Sequence, residues 1–208
     1  MRRMLLCDLA VIRRQLPRVM IATLFVAVMV CIAGLESGVV VPVVIMMGVY
    51  YVTVTLAAFD DRDGWAAFRL ALPLSRRDVV LGRYATTMIT CLAFAVLGIA
   101  LAAVAWQVAA AQGTEGILSL AVVGMAFSLT YMAIVLPVYF RVGTTRGARI
   151  VAMLMCMIPL AVVGFGDASV VAGFITGSEF LVLFPVVALV LFAASAVVSL
   201  RLYDSRDL

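Results

Sequence analysis

Six apolar stretches of this sequence are each long enough to cross a lipid bilayer as a helix, which requires about 20 residues. They lie at about 19–35, 39–58, 84–110, 117–140, 148–165 and 180–200. None shows the period-two alternation that marks the strands of a membrane barrel. Hydrophobic residues make up 66% of the 208, which is more than a soluble fold of this size can bury. The sequence therefore predicts one all-α domain over residues 1–208, a polytopic membrane protein with six transmembrane helices.

The arginines predict how these helices are oriented. All 15 basic residues are arginine, and they lie before span one, between spans two and three, between spans four and five, and after span six. The other three loops carry only acidic charges, at Glu36, Glu115, Asp167 and Glu179. Cytoplasmic loops are the ones enriched in arginine. We therefore expect a multi-pass protein of the plasma membrane with its N- and C-termini in the cytoplasm.

Residues 1–17 form a separate predicted element before the first span. Apolar residues recur there at helical spacing, at Leu5, Leu9, Ile12 and Leu16. Asp8 and the arginines occupy the other faces, and Pro17 is expected to end the helix. A basic amphipathic helix just before a span is typical of an interfacial helix among lipid headgroups. A simple topology anchor explains the pattern equally well.

The loop at 59–83, between spans two and three, is the most informative cytoplasmic stretch. Asp60 or Asp61 can cap a short helix that Pro73 ends. One face of this helix carries Trp65, Phe68 or Arg69, and Leu72. Ser75 and Asp78 match the capping box that starts a new helix. Because tryptophan and arginine are enriched at protein interfaces, the short helix is expected to dock a partner; the alternative is a solvated loop whose aromatic side chains dip into the membrane interface.

The loop at 165–179, between spans five and six, is apolar for a loop and is interrupted by small residues. It lies on the side without arginines, which the orientation rule makes the outside. It either re-enters the membrane surface or forms the frayed end of a longer helix.

The residue types that most enzymes and metal sites need are missing. The chain has no histidine and no lysine, and its four cysteines are not at C-x-x-C spacing. It has no phosphate-binding G-x-x-x-x-G-K-[ST] motif. No charged residue lies deep in a predicted span, and polar ones such as Thr53, Thr86 and Thr90 are expected mainly to hydrogen-bond between helices. The chain is therefore not expected to be an enzyme, and its energy source is expected in another protein.

Three stretches of the chain form a recognisable set. They are DDRDGWAAFRLALPLSRRDVVLGRY at 60–84, LPVYFRVGTTRGARI at 136–150 and SLRLYDSRDL at 199–208. With the six-span layout, they resemble the type-2 ABC transporter permeases, specifically the small branch similar to the phenol-soluble-modulin exporter permeases. The resemblance covers essentially the whole chain. It implies a half-transporter, in which two permeases, identical or paired with a sister subunit, form the path and two separate ATPase subunits dock below.

The resemblance also implies roles for individual segments and residues. The coupling helix would fall on about Asp61–Leu72, segment 1–17 would be the connecting helix, and the 165–179 loop would hold short re-entrant helices. The ATPase-docking residues would be Asp61, Trp65, Phe68, Arg69 and Leu72, with secondary cytoplasmic contacts from Arg141 and Arg146. The residues lining the path would include Tyr50, Tyr51, Thr53 and Thr55. ATP and magnesium would be bound by the partner ATPase, and this chain would hold no cofactor.

The expected function is that of a permease subunit of an ATP-driven ABC exporter. Its cargo would be amphipathic or hydrophobic, such as a peptide, a lipid or a drug, and nucleic acid is not an expected partner. Closure of the ATPase dimer would push on each coupling helix and switch the permease dimer between two packings. Two alternatives are a secondary carrier or channel that needs no ATPase, and a non-transporting membrane subunit that senses or anchors partners.

Overall fold

The computed structural model of the chain describes residues 2–32, 40–61, 75–109, 117–142 and 178–204. Apart from Ser75, every one of these residues is helical, so the described part of the chain contains no strand. The helices are α1 (Arg2–Ile32), α2 (Val40–Asp61), α3 (Arg76–Ala109), α4 (Ile117–Val142) and α5 (Ser178–Asp204). The all-α prediction is confirmed for these residues.

Four of the helices correspond to predicted spans. Among the described residues, α2, α3, α4 and α5 are each long and apolar enough to cross a membrane. They match the predicted spans at 39–58, 84–110, 117–140 and 180–200. Residues 19–32 of the first predicted span form the second half of α1, which is not among these four helices, and residues 33–35 lie outside the described residues. The span at 148–165 and most of the loop at 165–179 lie outside the described residues.

Helix α1 corrects the prediction for the N-terminal segment. The helix does not end at Pro17 but continues through it to Ile32. Pro17 removes the amide that would bond the carbonyl of Arg13, but both residues lie on the exposed side of the helix, where water or headgroups can satisfy that carbonyl. The helix therefore loses one internal bond there and continues.

Of the predicted apolar stripe of α1, Ile12 is partly buried against the core. Leu9 and Leu16 are 43% and 47% exposed. The buried positions are instead Asp8, Gln15, Val19 and Thr23. Their spacing of seven, four and four residues keeps them on one helical face, and that face packs against α2 and α3. Asp8 and Gln15 therefore face protein, whereas Leu9 and Leu16 face outward.

Helix α2 packs against α1, α3 and α4, and α3 contacts all four of the other described helices. Glycines allow this close approach. A methyl group at Gly124 of α4 would lie 2.7 Å from the Cα atom of Pro42 in α2. Gly48 of α2 likewise leaves room for the ring of Phe94 in α3. Apolar side chains are about as stable in lipid as against protein, so they do not by themselves bring transmembrane helices together. Small residues do so, because they let the backbones approach closely.

Helix α5 contacts the bundle through one narrow stripe. Its buried residues are Ala188, Phe192, Ser195 and Ser199, spaced four, three and four apart. They pack against α4 and, to a smaller extent, α3. The aliphatic side chains on its other faces are mostly exposed, for example Val182 at 70%. Two of the four buried contacts are therefore hydroxyl groups in an otherwise apolar helix.

Candidate functional site

Helix α3 begins at a side-chain cap. The Ser75 hydroxyl accepts a hydrogen bond from the Asp78 amide at 3.1 Å and donates one to the Asp78 carboxylate at 2.8 Å. The Ser75 carbonyl accepts the first helical bond, from the Val79 amide at 3.3 Å. The predicted capping box is therefore confirmed. It places the start of α3 directly after segment 62–74, in which the docking helix is predicted.

Two turns into α3, an ion pair joins this helix to α1. Arg83 Nη1 lies 3.4 Å from Asp8 Oδ1. The Thr86 hydroxyl lies 3.2 Å from the other carboxylate oxygen, to which it can donate, and 2.9 Å from the carbonyl of Gly82 in its own helix. Asp8 is 2% exposed and Arg83 is 8% exposed. Both charges are thus held inside protein.

This pair is costly to bury and costly to break. Removing each charge from water costs several kcal/mol. The attraction between the two charges offsets about as much as this removal costs. Either charge left alone in the same place has no such compensation. The arrangement therefore makes separation of α1 from α3 unfavourable without adding much to net stability.

The next residue of α3, Tyr84, points to the other side of the helix and joins it to α5. Its hydroxyl lies 2.7 Å from the Ser195 hydroxyl and 2.8 Å from the Ser199 hydroxyl. Its ring packs against Phe192 with the centroids 4.9 Å apart. All three partners belong to the buried stripe of α5. Tyr84 is therefore the polar anchor of that helix on α3.

The Ser195 hydroxyl also satisfies an unpaired carbonyl of α4. Pro137 lies inside α4 and has no amide hydrogen, so the carbonyl of Ala133, four residues earlier, lacks its helical donor. The Ser195 hydroxyl donates to that carbonyl at 2.6 Å. Because Ser195 has only one proton, Tyr84 must donate to Ser195 and Ser199 must donate to Tyr84. The result is a directed chain of hydrogen bonds from Ser199 through Tyr84 and Ser195 to the Ala133 carbonyl in α4.

We call this group of residues the α3 junction. Its members are Asp8, Arg83, Tyr84, Thr86, Ser195 and Ser199. Consecutive residues of α3 reach α1 on one side and α5 with α4 on the other, so the junction joins four helices. In the described ranges, no group of three or more acidic, cysteine or histidine side chains is placed to hold a metal ion. The junction can fix helix positions, but its groups are engaged with one another.

Replacing Ser195 with alanine is expected to destabilise the chain by about 1–2 kcal/mol, because the Ala133 carbonyl loses its donor and Tyr84 loses its acceptor. Ser128→Ala is the matched control. Its hydroxyl donates at 2.8 Å to the Gly124 carbonyl of its own helix, which has a helical donor as well. Thermal unfolding in detergent measures both variants. Equal losses for the two would contradict the role assigned to Ser195.

Most of the predicted docking residues lie outside the described part of the chain. This holds for Trp65, Phe68, Arg69, Leu72 and Arg146. Asp61 is the last residue of α2. Arg141 is exposed in the last turn of α4. These assignments stay predictions.

The four residues predicted to line the path do not converge on one surface. Tyr50 makes an edge contact with Tyr131 of α4, with the ring centroids 6.3 Å apart. The Thr53 hydroxyl lies 3.5 Å from the sulfur of Met132, also in α4, and donates to its own helix at the Val49 carbonyl at 2.8 Å. Thr55 instead faces α1 across a small apolar cleft. Tyr51 is half-buried against the core.

The polar residues of the spans also depart from the expectation that they bond between helices. Several donate to a carbonyl four residues earlier in their own helix: Thr53, Thr86, Thr87, Thr90, Ser128 and Thr130. In apolar surroundings a carbonyl of the same helix is always within reach of a threonine hydroxyl. Of these residues, Thr53 and Thr86 also reach another helix.

The sequence does not predict the Asp8–Arg83 pair, because Arg83 stands at the predicted edge of a span and Asp8 lies on a polar face of the predicted interfacial helix. One signal was present in the sequence. Asp8 and Gln15 are seven residues apart, and both are polar on a helix that precedes a span. A helix that buries polar residues at this spacing needs a polar partner. Arg83 is the charge nearest to the apolar part of the third predicted span, which, like the first, is expected to begin on the cytoplasmic side.

Comparison with known proteins adds one finding. A family model described as an ABC-2 family transporter protein matches residues 3–204. No curated protein and no solved structure matches the chain. The matched region contains every helix described above almost in full, together with the segments between them.

Proposed function

The chain belongs to the ABC-2 transporter family, and we propose that it is the permease subunit of an ATP-driven exporter whose ATPase is a separate protein. The observation that carries this proposal is the family match over residues 3–204 in a chain that has no phosphate-binding motif. Four described helices that can cross a membrane agree with a transport subunit. On this proposal, the energy for transport comes from a partner. The specific resemblance to phenol-soluble-modulin exporters stays part of this proposal.

The arrangement of the helices supports a common side for both termini and the docking segment. Asp8, near the N-terminus, contacts Arg83, and Ser199, near the C-terminus, contacts Tyr84. Both α3 residues lie within three turns of the Ser75 cap, which follows segment 62–74. The arginine distribution makes this side the cytoplasm. A cytoplasmic ATPase in the plasma membrane would therefore meet the end of the bundle that carries the α3 junction.

The proposed path lies between two permeases, identical or paired with a sister subunit. Its cargo is amphipathic or hydrophobic, a peptide, lipid or drug, because the described spans offer mainly apolar and hydroxyl groups, and the buried charge of Arg83 is paired with Asp8. ATP and magnesium belong to the partner ATPase. ATP-driven closure of that partner would push on the coupling helices at 61–72 and favour one of two packings of the permease pair.

Replacing Trp65 and Phe68 with alanine tests the docking assignment. Removal of two aromatic anchors from a protein interface is expected to weaken binding of the ATPase by at least about 100-fold, since such residues each carry about 2 kcal/mol or more. Pull-down of the ATPase and permease-stimulated ATP hydrolysis should both fall. Phe25→Ala is the control, because the Phe25 side chain of α1 is 61% exposed. It should change neither ATPase binding nor ATP hydrolysis. Docking and hydrolysis that persist at wild-type levels in the double variant would disprove the assignment.

A further inference from the structure

The α3 junction lies close to the proposed point of ATPase contact. Arg83 is seven residues into α3, about 10 Å along the helix from its first residue. We propose that Arg83 and Tyr84 are positioning residues for transport, which transmit a movement at the start of α3 to α1 and to the Pro137 turn of α4. This inference rests on the proposed function, because the movement would come from an ATPase docked at 61–72.

The ion pair is the part of the contact between α1 and α3 that resists separation. Farther along the two helices, an open apolar groove of about 150 Å³ runs along their outer side, lined by Met20, Ile21, Thr23, Leu24, Leu97 and Leu101. The side chains that line it on α1 are largely exposed, for example Ile21 at 68%, so they hold the two helices together less than buried contacts do. Near the start of α3, by contrast, Arg83 lies 3.4 Å from Asp8, and both side chains are buried. Because buried charges cannot part without exposing each other to apolar surroundings, α1 must follow α3 at this point.

The hydroxyl chain makes the equivalent connection on the other side. A proline in a transmembrane helix weakens the helix at one turn, and the weakened turn of α4 is held by a donor from α5. That donor is in turn bonded to Tyr84 of α3. A movement of α3 therefore reaches the Pro137 turn of α4 through two short hydrogen bonds of 2.7 Å and 2.6 Å. A turn that lacks an internal hydrogen bond at a proline is a place where a helix can change direction.

Stability alone does not explain an ion pair in this place. Apolar residues of similar total volume often stabilise a protein as well as a buried pair or better. The ion pair instead adds a contact that forms at only one relative position of α1 and α3. This distinction gives the test, because an apolar replacement retains stability but removes the connection.

The experiment uses the full chain co-purified with its ATPase and reconstituted in liposomes. Two cargo probes are used, a fluorescein-labelled amphipathic helical peptide and a fluorescent phosphatidylcholine analogue. Four quantities are measured: ATPase pull-down, ATP hydrolysis, ATP-dependent movement of the probes, and the melting temperature in detergent. The variants are Asp8→Val/Arg83→Met, the exchanged pair Asp8→Arg/Arg83→Asp, and Tyr84→Phe.

Asp8→Val/Arg83→Met and Tyr84→Phe are expected to bind the ATPase and to hydrolyse ATP as the wild type does. Probe movement per ATP should fall at least about fivefold, the lower end of typical coupling between two sites. The exchanged pair should recover most of this loss. Tyr139→Phe is the matched control, because the Tyr139 hydroxyl is buried without a hydrogen-bond partner among the described residues. It should leave probe movement per ATP unchanged.

The outcomes separate the inference from its premise. A wild-type complex that moves neither probe in response to ATP contradicts the proposed function and the inference with it. A wild-type complex that moves a probe, together with Asp8→Val/Arg83→Met and Tyr84→Phe variants that move it equally well per ATP, overturns the inference alone. Loss of movement in proportion to a fall in melting temperature and in ATPase binding also overturns it, since that pattern indicates a purely structural role.

Discussion

Arg83→Gln is expected to destabilise the chain by about 3–5 kcal/mol, the usual cost of leaving one member of a buried ion pair without the other. Asp8 is 2% exposed, so its carboxylate cannot reach water without displacement of α1. The Thr86 hydroxyl remains near it at 3.2 Å, but a neutral donor replaces only part of the charge interaction. Thermal unfolding in detergent, and unfolding by added sodium dodecyl sulfate, measure the loss.

Arg77→Gln is the control for this prediction. Arg77 lies in the first turn of the same helix and is exposed, so its removal should change stability by less than about 0.5 kcal/mol. Removal of both charges in Asp8→Val/Arg83→Met should restore most of the stability that Arg83→Gln loses. A single variant as stable as Arg77→Gln would contradict the burial of the ion pair.

Gly124→Leu is expected to have a comparable effect, through packing rather than charge. A methyl group at this position would lie 2.7 Å from the Cα atom of Pro42 and 3.2 Å from Cδ1 of Ile45. The nearest of these atoms is backbone, so relief requires a shift of α2 relative to α4. Overpacking of this kind costs about 1–3 kcal/mol, and a leucine here exceeds the space by more than one methyl group. We expect a loss at the upper end of that range or beyond it.

The matched control introduces leucine at an exposed position. Ala100 lies on the exposed side of α3, so Ala100→Leu should leave the melting temperature close to that of the wild type. Because Gly124 lies at the contact of α2 with α4, its variant should also lose folded yield from membranes. If Gly124→Leu and Ala100→Leu are equally stable, α2 and α4 are not in the close contact described.

The lengths of the apolar stretches predict four of the described helices, α2 to α5, but not how the helices pack. Spans at 39–58, 84–110, 117–140 and 180–200 each correspond to a helix within a few residues, apart from α3, which begins eight residues earlier, at Arg76. Hydrophobic length sets these positions because the bilayer thickness is fixed. The Ser75 cap was likewise predictable, since its hydrogen bonds involve only neighbouring residues. Bilayer thickness and hydrogen bonds between neighbouring residues thus determine where these helices and the Ser75 cap lie.

Pro17 shows where local rules fail. Proline ends helices in water because the freed carbonyl and the ring both disturb the next turn. In α1 the freed carbonyl lies on the exposed side of a helix that is packed against α2 and α3. Tertiary packing therefore overrides the local preference, as is common in transmembrane helices.

The α3 junction shows what sequence patterns cannot supply. Asp8 and Arg83 are far apart in the chain, and Tyr84 and Ser195 are separated by 111 residues. No periodicity in either segment identifies its partner. The need of Ala133 for a donor was implicit in Pro137, but the helix that would supply one depends on the packing of α5. Partner choice is therefore a property of the assembled bundle.

The central claim is that this chain transports only with energy from a separate ATPase. The most direct test reconstitutes the chain in liposomes with and without its co-purified ATPase and follows an amphipathic fluorescent peptide and a fluorescent phospholipid. The account predicts that at least one probe moves when the chain, the ATPase and hydrolysable ATP are all present, and that neither moves when any of them is missing. Movement of the probes by the chain alone, at the same rate and without ATP, would contradict it.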